Sequence, residues 1–240
     1  MEHARNVRDM GGYETPNGQV TAFGRLLRSG GLQNLTGSEW ERLKGFGICT
    51  ILDLRSQAEI VAAPDQVPEG ITWLHCPLQT EQIDSKDISG SALKAFTDSL
   101  TEGYLNIVKN NGRLLAEALT ALIEGLDRGA VLFHCMAGKD RTGVLASAVY
   151  YLCGIEKEDI IADYEVTYTY NKRGMDRLLE QADDDTRLKM MPFLLSESDS
   201  MDRLVSFYKE INLPEYLIRH GMEKEAFTRL KKHLLLPIET

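Results

Sequence analysis

An apolar run, Ala130 to His134, passes without a break into Cys135-Met136-Ala137-Gly138-Lys139-Asp140-Arg141-Thr142-Gly143, and then into a second apolar run, Val144 to Leu152. The first run has the length and the β-branched and aromatic content of a buried strand, and the second is too long for one and reads as a helix. A buried strand delivered through a tight, glycine-bearing loop into a buried helix is an α/β unit, so the rest of the chain must supply a sheet and the helices that cover it. In sheets of this kind ligands collect outside the carboxyl ends of the strands. The loop after His134 is therefore the place to look for chemistry.

The flanking sequence agrees. Ile48 to Leu52 and Ile71 to His75 also read as short buried strands. Helical patterns lie between them. Thr36-Gly37-Ser38-Glu39 is a capping box opening a helix through Trp40 and Leu43 that stops at Gly45 or Gly47, and Ser56-Gln57-Ala58-Glu59 is a second box, its helix ended by Pro64. Ser91 to Leu126 is helical with a break near Asn110-Asn111-Gly112, and everything after Arg141 reads as helix, down to Glu223–Leu235. With no repeat or linker to divide it, the chain of 240 residues is expected to form a single α/β domain, 1–240, with a mostly parallel central sheet flanked by helices and a helical C-terminal half.

Charge and composition narrow the function classes. The formal net charge is −9 and no Lys/Arg-rich run is present, which disfavours nucleic acid as a partner. The longest apolar stretch, Leu145 to Ile155, is too short to span a bilayer, so stable membrane insertion is not expected. Met1 to Asn6 carries no apolar signal core, so Sec export is not expected and a cytoplasmic location is. Four cysteines, at 49, 76, 135 and 153, are too few for a disulfide scaffold and are expected as thiols.

The loop itself is built for an oxyanion. Its backbone N–H groups can converge on one anion, the following helix adds the positive end of its dipole, and Gly138 supplies a positive φ where the turn is tightest. Arg141 can fork onto two phosphoryl oxygens in a way Lys cannot, and the same field favours the thiolate of Cys135. A nucleophile, an anion cradle and a charge clamp thus occupy one short segment. A zinc site fits poorly: the two His-Cys pairs, His75-Cys76 and His134-Cys135, lack the usual ligand spacings. A thiol redox role would want a second cysteine near Cys135, and the loop has none. A binding module without turnover is disfavoured by the intact Cys135, Arg141 and Thr142.

On these residues the chain resembles the cysteine-dependent protein tyrosine phosphatases, whose hallmark is His-Cys-x5-Arg-Ser/Thr. The Gly-Lys-Asp-Arg-Thr-Gly version is most similar to a bacterial family of tyrosine and dual-specificity phosphatases that also accept phosphoinositides. Asn6-Val7-Arg8-Asp9-Met10-Gly11-Gly12-Tyr13, Leu27-Arg28-Ser29-Gly30, Asp53-Leu54-Arg55-Ser56 with Glu59, and Asp163-Tyr164 resemble further signatures in the same order. The resemblance implies a protein tyrosine phosphatase-like fold, a cysteinyl-phosphate intermediate, phosphotyrosine proteins or phosphoinositides as substrates, and no cofactor or metal. It implies Cys135 as nucleophile, Arg141 as clamp, and phosphate contacts from Met136, Ala137, Gly138, Lys139, Asp140 and Arg141. It also implies that His134 orders the loop and that Thr142 assists departure of the thiolate. For the general acid, Asp140 inside the loop is favoured over Asp53, Asp84, Asp87 and Asp98; Asp53 is expected chiefly as a partner of Arg55. Lys139 is expected to meet a second phosphate, Arg8 and Asp9 to form a structural ion pair, and Leu78 to Asn110 to be a candidate lid.

Overall fold

The computed structural model describes residues 1–78, 92–180, 182–185, 187 and 198–238, with the side chains of residues 92–99 and 178 left aside. Its central sheet contains β1 (Arg8–Asp9), β3 (Leu26–Ser29), β4 (Ile48–Asp53), β5 (Thr72–His75) and β6 (Ala130–His134), in the spatial order β1-β3-β6-β4-β5. β3, β6, β4 and β5 are parallel to one another, and β1 alone is antiparallel, on β3. The chain is therefore α/β with a mostly parallel sheet, as the sequence leads one to expect. The registers Asp53↔His134 and Ser29↔His134 bring the ends of β3, β4 and β6 level beside the loop that follows β6.

Helices cover both faces of the sheet, and alternation along the strands explains why. Leu26, Leu52, Val131 and Phe133 point into the larger core, whereas Leu27, Ile51, Ala130 and Leu132 point into a smaller one with Trp40 and Leu43 of α1 (Gly37–Gly45). The larger core is filled by α3 (Ala92–Asn110), α4 (Gly112–Arg128) and α5 (Asp140–Cys153), with α6 (Lys157–Glu180), α7 (Ser198–Glu210), α8 (Leu213–Arg219) and α9 (Lys224–Leu234) packed around them. A Cβ at Gly125 would lie 2.8 Å from Val131 Cγ2, so that glycine lets α4 sit close to the sheet. α5 is buried along nearly its whole length and ends at Gly154 in the left-handed region, φ 84°.

Both capping boxes form, on α1 and on α2 (Gln57–Ala62). The expected helical break appears between Asn110 and Gly112. Two features depart from the sequence reading. β3 and β1 were not expected, because Arg28 interrupts the apolar run of β3 and β1 is only two residues long. The last helix stops at Leu234, and β7 (Leu235–Pro237) pairs antiparallel with β2 (Gln19–Thr21), tying the C-terminal segment to the N-terminal one. Of the candidate lid, residues 79–91 lie outside the described residues; Leu78 is buried, and α3 sends Tyr104, Leu105, Ile107 and Val108 into the core. Among the described residues, no helix is long and apolar enough to cross a membrane.

Candidate active site

The loop between β6 and α5 is held open from behind. The Cys135 carbonyl lies 3.1 Å from His134 Nδ1, and Met136 O accepts from Gly31 N at 2.9 Å. Ala137 O accepts from Asn171 Nδ2 at 3.2 Å, and Gly138 O from Asn6 Nδ2 at 2.7 Å and Arg28 Nη2 at 3.0 Å. Each carbonyl from Cys135 to Gly138 is thus engaged on the outside of the turn. In a planar trans peptide the N–H points opposite to the carbonyl, so the amides of Met136, Ala137, Gly138 and Lys139 turn toward the inside. That is the geometry of an anion nest set at a helix N-terminus. Gly138 takes φ +67°, and a Cβ there would sit 2.5 Å from Ser29 O. Only glycine meets both conditions.

Behind Gly138 lies a buried charge cluster. Asp163, from α6, accepts from Arg8 Nε at 3.0 Å and from Arg28 Nη1 at 2.5 Å, with all three side chains almost inaccessible. Arg8 also donates to Asn6 Oδ1, to Thr167 Oγ1 and to the Asp163 carbonyl. The expected Arg8–Asp9 pair is therefore corrected. Arg8 turns inward to Asp163, while Asp9 accepts the backbone N–H groups of Gly11 and Gly24 at 2.8 and 2.7 Å. Burial works against the Asp163 carboxylate, but Arg28 and Arg8 outweigh it and hold the group below the usual carboxylate range. Two guanidiniums facing one carboxylate leave a net positive charge directly behind the loop.

Arg141 stands at the start of α5 and forks onto Glu59, with Nη1–Oε2 at 2.6 Å and Nη2–Oε1 at 2.7 Å. Glu59 is placed by its own capping box, because Oε2 also accepts from Ser56 N at 2.8 Å. Burial alone would raise the Glu59 carboxyl; the Arg141 and Ser56 bonds bring it down to about 2 instead, so it stays ionised. Burial likewise opposes charge on Arg141, and Glu59, Cys135 and Asp140 together push that guanidinium up. The Cys135 side chain is buried at the base of the loop.

Asp53 is fully buried and bonded to Arg55 through Nε at 2.9 Å and Nη2 at 2.6 Å. Burial would raise its carboxyl, but the Arg55 bonds and His134 hold it low, which suits a permanent anion and not a proton donor. Arg55 Nη2 reaches Asp65 Oδ2 at 2.7 Å, and His134 Nε2 lies 3.1 Å from the same oxygen without the alignment of a linear hydrogen bond. Asp53, Asp65 and His134 are the one group of described residues spaced like metal ligands, and the Arg55 guanidinium already bonds both carboxylates. The donor set is neutralised from within and does not fit an ion. His75 Nε2 is 2.8 Å from the Arg55 carbonyl.

Asp140 keeps a half-exposed side chain, and its Oδ1 accepts from Tyr104 Oη at 2.5 Å. Asp84 and Asp87 lie outside the described residues, as does the side chain of Asp98. Lys139 is buried at 4% exposure, its Nζ 3.7 Å from Asp140 Oδ1, so it is no solvated surface lysine. It lines, with Met136, Ala137, Arg5 and Asn171, a pocket of about 310 Å³ beside the loop. Thr142 Oγ1 is buried and meets no hydrogen-bond partner among the described residues. Burial pushes the thiols of Cys76 and Cys153 up to about 11 and about 12, which leaves both inert.

Sequence reasoning placed Cys135, Asp140 and Arg141 around this loop but assigned no function to Asn6, Arg28, Glu59, Asp65, Tyr104 or Asn171. A signal existed for three of them, since Asn6 opens one of the quoted signatures. Arg28 is a charged residue inside an apolar run, and Glu59 is the second half of a capping box.

Comparison with known proteins gives a family. A sequence model described as the tyrosine phosphatase family matches residues 1–236. A Cupriavidus necator protein assigned to the tyrosine-protein phosphatases is 31% identical over 163 residues, 66% of this chain and 59% of its own length. A tyrosine-protein phosphatase of Nostoc commune is 28% identical, over 60% of this chain and 49% of its own. The triple specificity protein phosphatase PtpB of Mycobacterium tuberculosis is 32% identical, over 59% and 60%. The chain therefore spans about half to three fifths of these curated relatives. Crystalline TpbA of P. aeruginosa matches over 82% of this chain and 96% of its own, at 14% identity and a TM-score of 0.37.

Proposed function

From the premise that the chain belongs to the tyrosine phosphatase family, we propose that it hydrolyses phosphotyrosine and related phosphate monoesters through a cysteinyl-phosphate. The observation that carries this reading is the loop whose carbonyls are all engaged on the outside, with Cys135 at its base and Arg141 at its rim. A dianionic phosphoryl group in the turn would meet the amides of Met136 to Lys139, the start of α5 and the Arg141 fork. Glu59 holds that fork at the mouth beforehand, so little ordering remains to be done when substrate binds.

The steps follow. The Cys135 thiolate attacks phosphorus, forming an S–P bond as the P–O bond to the tyrosyl oxygen breaks. Asp140 delivers its proton to that oxygen. Water then attacks the phosphocysteine and gives a proton back to the Asp140 carboxylate, and the S–P bond breaks to release phosphate and the thiolate. Thr142, whose buried hydroxyl meets no partner among the described residues, is a group available to a departing thiolate. His134 and Asp53 support the loop through the Arg55 cluster. No metal or cofactor has a part.

A second reading extends the substrates to phosphoinositides. It is supported by the pocket beside the loop, whose wall carries Lys139 and Arg5 and where a second phosphate would fall. The triple specificity in the name of one relative points the same way.

The test is a Cys135→Ser protein, which should lose all turnover of a phosphotyrosine peptide and still bind inorganic phosphate. Turnover by that variant, or a parent whose activity a chelator removes and a metal restores, overturns the covalent mechanism.

A further inference from the structure

We propose that Tyr104 is a positioning residue that decides which oxygen of Asp140 carries the proton given to the leaving group; this rests on the assignment of Asp140 as general acid. Tyr104 comes from α3, 2% exposed, and its hydroxyl is the polar end of an otherwise buried ring. That hydroxyl lies 2.5 Å from Asp140 Oδ1 and 2.7 Å from Tyr164 Oη. A phenol has one proton to give. Asp140 is the stronger acceptor when ionised, so Tyr104 donates to it and Tyr164 donates to Tyr104, a chain running Tyr164 to Tyr104 to Asp140. Burial, with Asp140 and Tyr164 adding to it, lifts the Tyr104 hydroxyl well above its usual range, so it keeps its proton throughout.

Oδ1 of Asp140 therefore faces a phenolic proton, and the Lys139 ammonium lies 3.7 Å from the same oxygen. A proton placed on Oδ1 would confront both. It resides on Oδ2, the oxygen left for the substrate. In the first step Oδ2–H passes its proton to the phenolic oxygen as the P–O bond breaks, and in the second Oδ2 receives one from the attacking water. Tyr104 itself exchanges nothing.

The chain is braced by the fold. Gly143 of α5 lets the Tyr164 ring lie against that helix, since a Cβ there would sit 3.3 Å from Tyr164 Cδ2. The rings of Tyr104 and Tyr164 meet edge to face with centroids 6.0 Å apart. Tyr164 follows Asp163, the carboxylate that holds Arg28 behind Gly138. One dipeptide of α6 thus supports the floor of the loop through Asp163 and the proton donor through Tyr164.

The experiment compares two esters in the full chain. Phosphotyrosine needs its leaving oxygen protonated; para-nitrophenyl phosphate departs as a stable anion and needs this far less. For D140N we expect kcat/KM to fall at least ~100-fold on phosphotyrosine and far less on the nitrophenyl ester. For Y104F the expected losses are about tenfold and less than about twofold, and Y104F/D140N should be no worse than D140N, because residues acting as one unit are not additive. Should Y104F not fold, Y164F, which removes the donor to Tyr104, should show the same selectivity with a factor of about three. Equal losses on both esters, no loss, or multiplicative losses in the double variant would overturn the role of Tyr104. If D140N itself shows no dependence on the leaving group, the general-acid assignment fails, and the proposal with it.

Discussion

Replacing Asp163 by Asn removes the negative charge that two buried arginines share. Arg8 and Arg28 reach its carboxylate at 3.0 and 2.5 Å, and all three side chains are at most 7% exposed. Asparagine keeps one acceptor but turns an N–H toward the other guanidinium, so both a charge and a hydrogen bond are lost at one arginine. Breaking a buried pair from one side costs about 3–5 kcal/mol, because the remaining charge is left uncompensated. For a chain of this size that corresponds to a fall in Tm of roughly 6–20 °C. Urea unfolding followed by the fluorescence of buried Trp40 would measure it. Arg28 also holds Gly138 O, so kcat/KM on phosphotyrosine should fall by about one to two orders of magnitude, ~1.4–2.7 kcal/mol of barrier. The pH dependence has a definite sign. The Asp163 carboxyl is depressed in the folded state, so its stabilisation is complete above the unfolded value and is lost as pH falls through the folded one. The gap between parent and D163N should be constant from pH 5 to 8 and narrow only below the usual carboxylate range, under about 4. A deficit below about 1 kcal/mol at pH 7, or a gap that widens on acidification, would refute the reasoning.

Other substitutions probe the loop. Arg141→Lys keeps the charge but not the fork onto phosphate, and activity within about tenfold of the parent would show that Arg141 is not the clamp. Gly138→Ala forces a side chain into φ +67° and against Ser29 O, and should lower both stability and phosphate affinity, the first by at least about 1–2 kcal/mol in urea melts. Lys139→Ala should reduce kcat/KM on a soluble phosphoinositide more than on phosphotyrosine; equal losses would mean that Lys139 only supports the loop. Added salt should weaken binding of the polyanionic substrate more, because screening acts on the exposed Arg5 of the same pocket.

Elements whose causes are local can be read from the chain without its fold. The strand Ala130 to His134, the two capping boxes, the break before Gly112 and the glycine in the loop all follow from neighbours within a few positions, and they hold in the structure. The Cys135 to Arg141 segment was legible for the same reason, since one short stretch carries a thiol, a turn of inward amides and a guanidinium. Tertiary structure alone decided what stands behind that segment. Arg28 reads as a polar interruption until β3 is laid against β6, where it becomes a buried donor to Gly138 O. Arg8 sits next to Asp9 in sequence but meets Asp163, 155 positions away, because β1 and α6 converge behind the loop. Glu59 reveals itself as a cap from local spacing, whereas its bond to Arg141 needs β4 and β6 to run side by side. Tyr104 is one apolar position among many on α3 until packing brings its hydroxyl to Asp140. Periodicity records which side of an element is buried. It does not record which distant polar group waits there, and in this protein those distant partners are what hold the loop in shape.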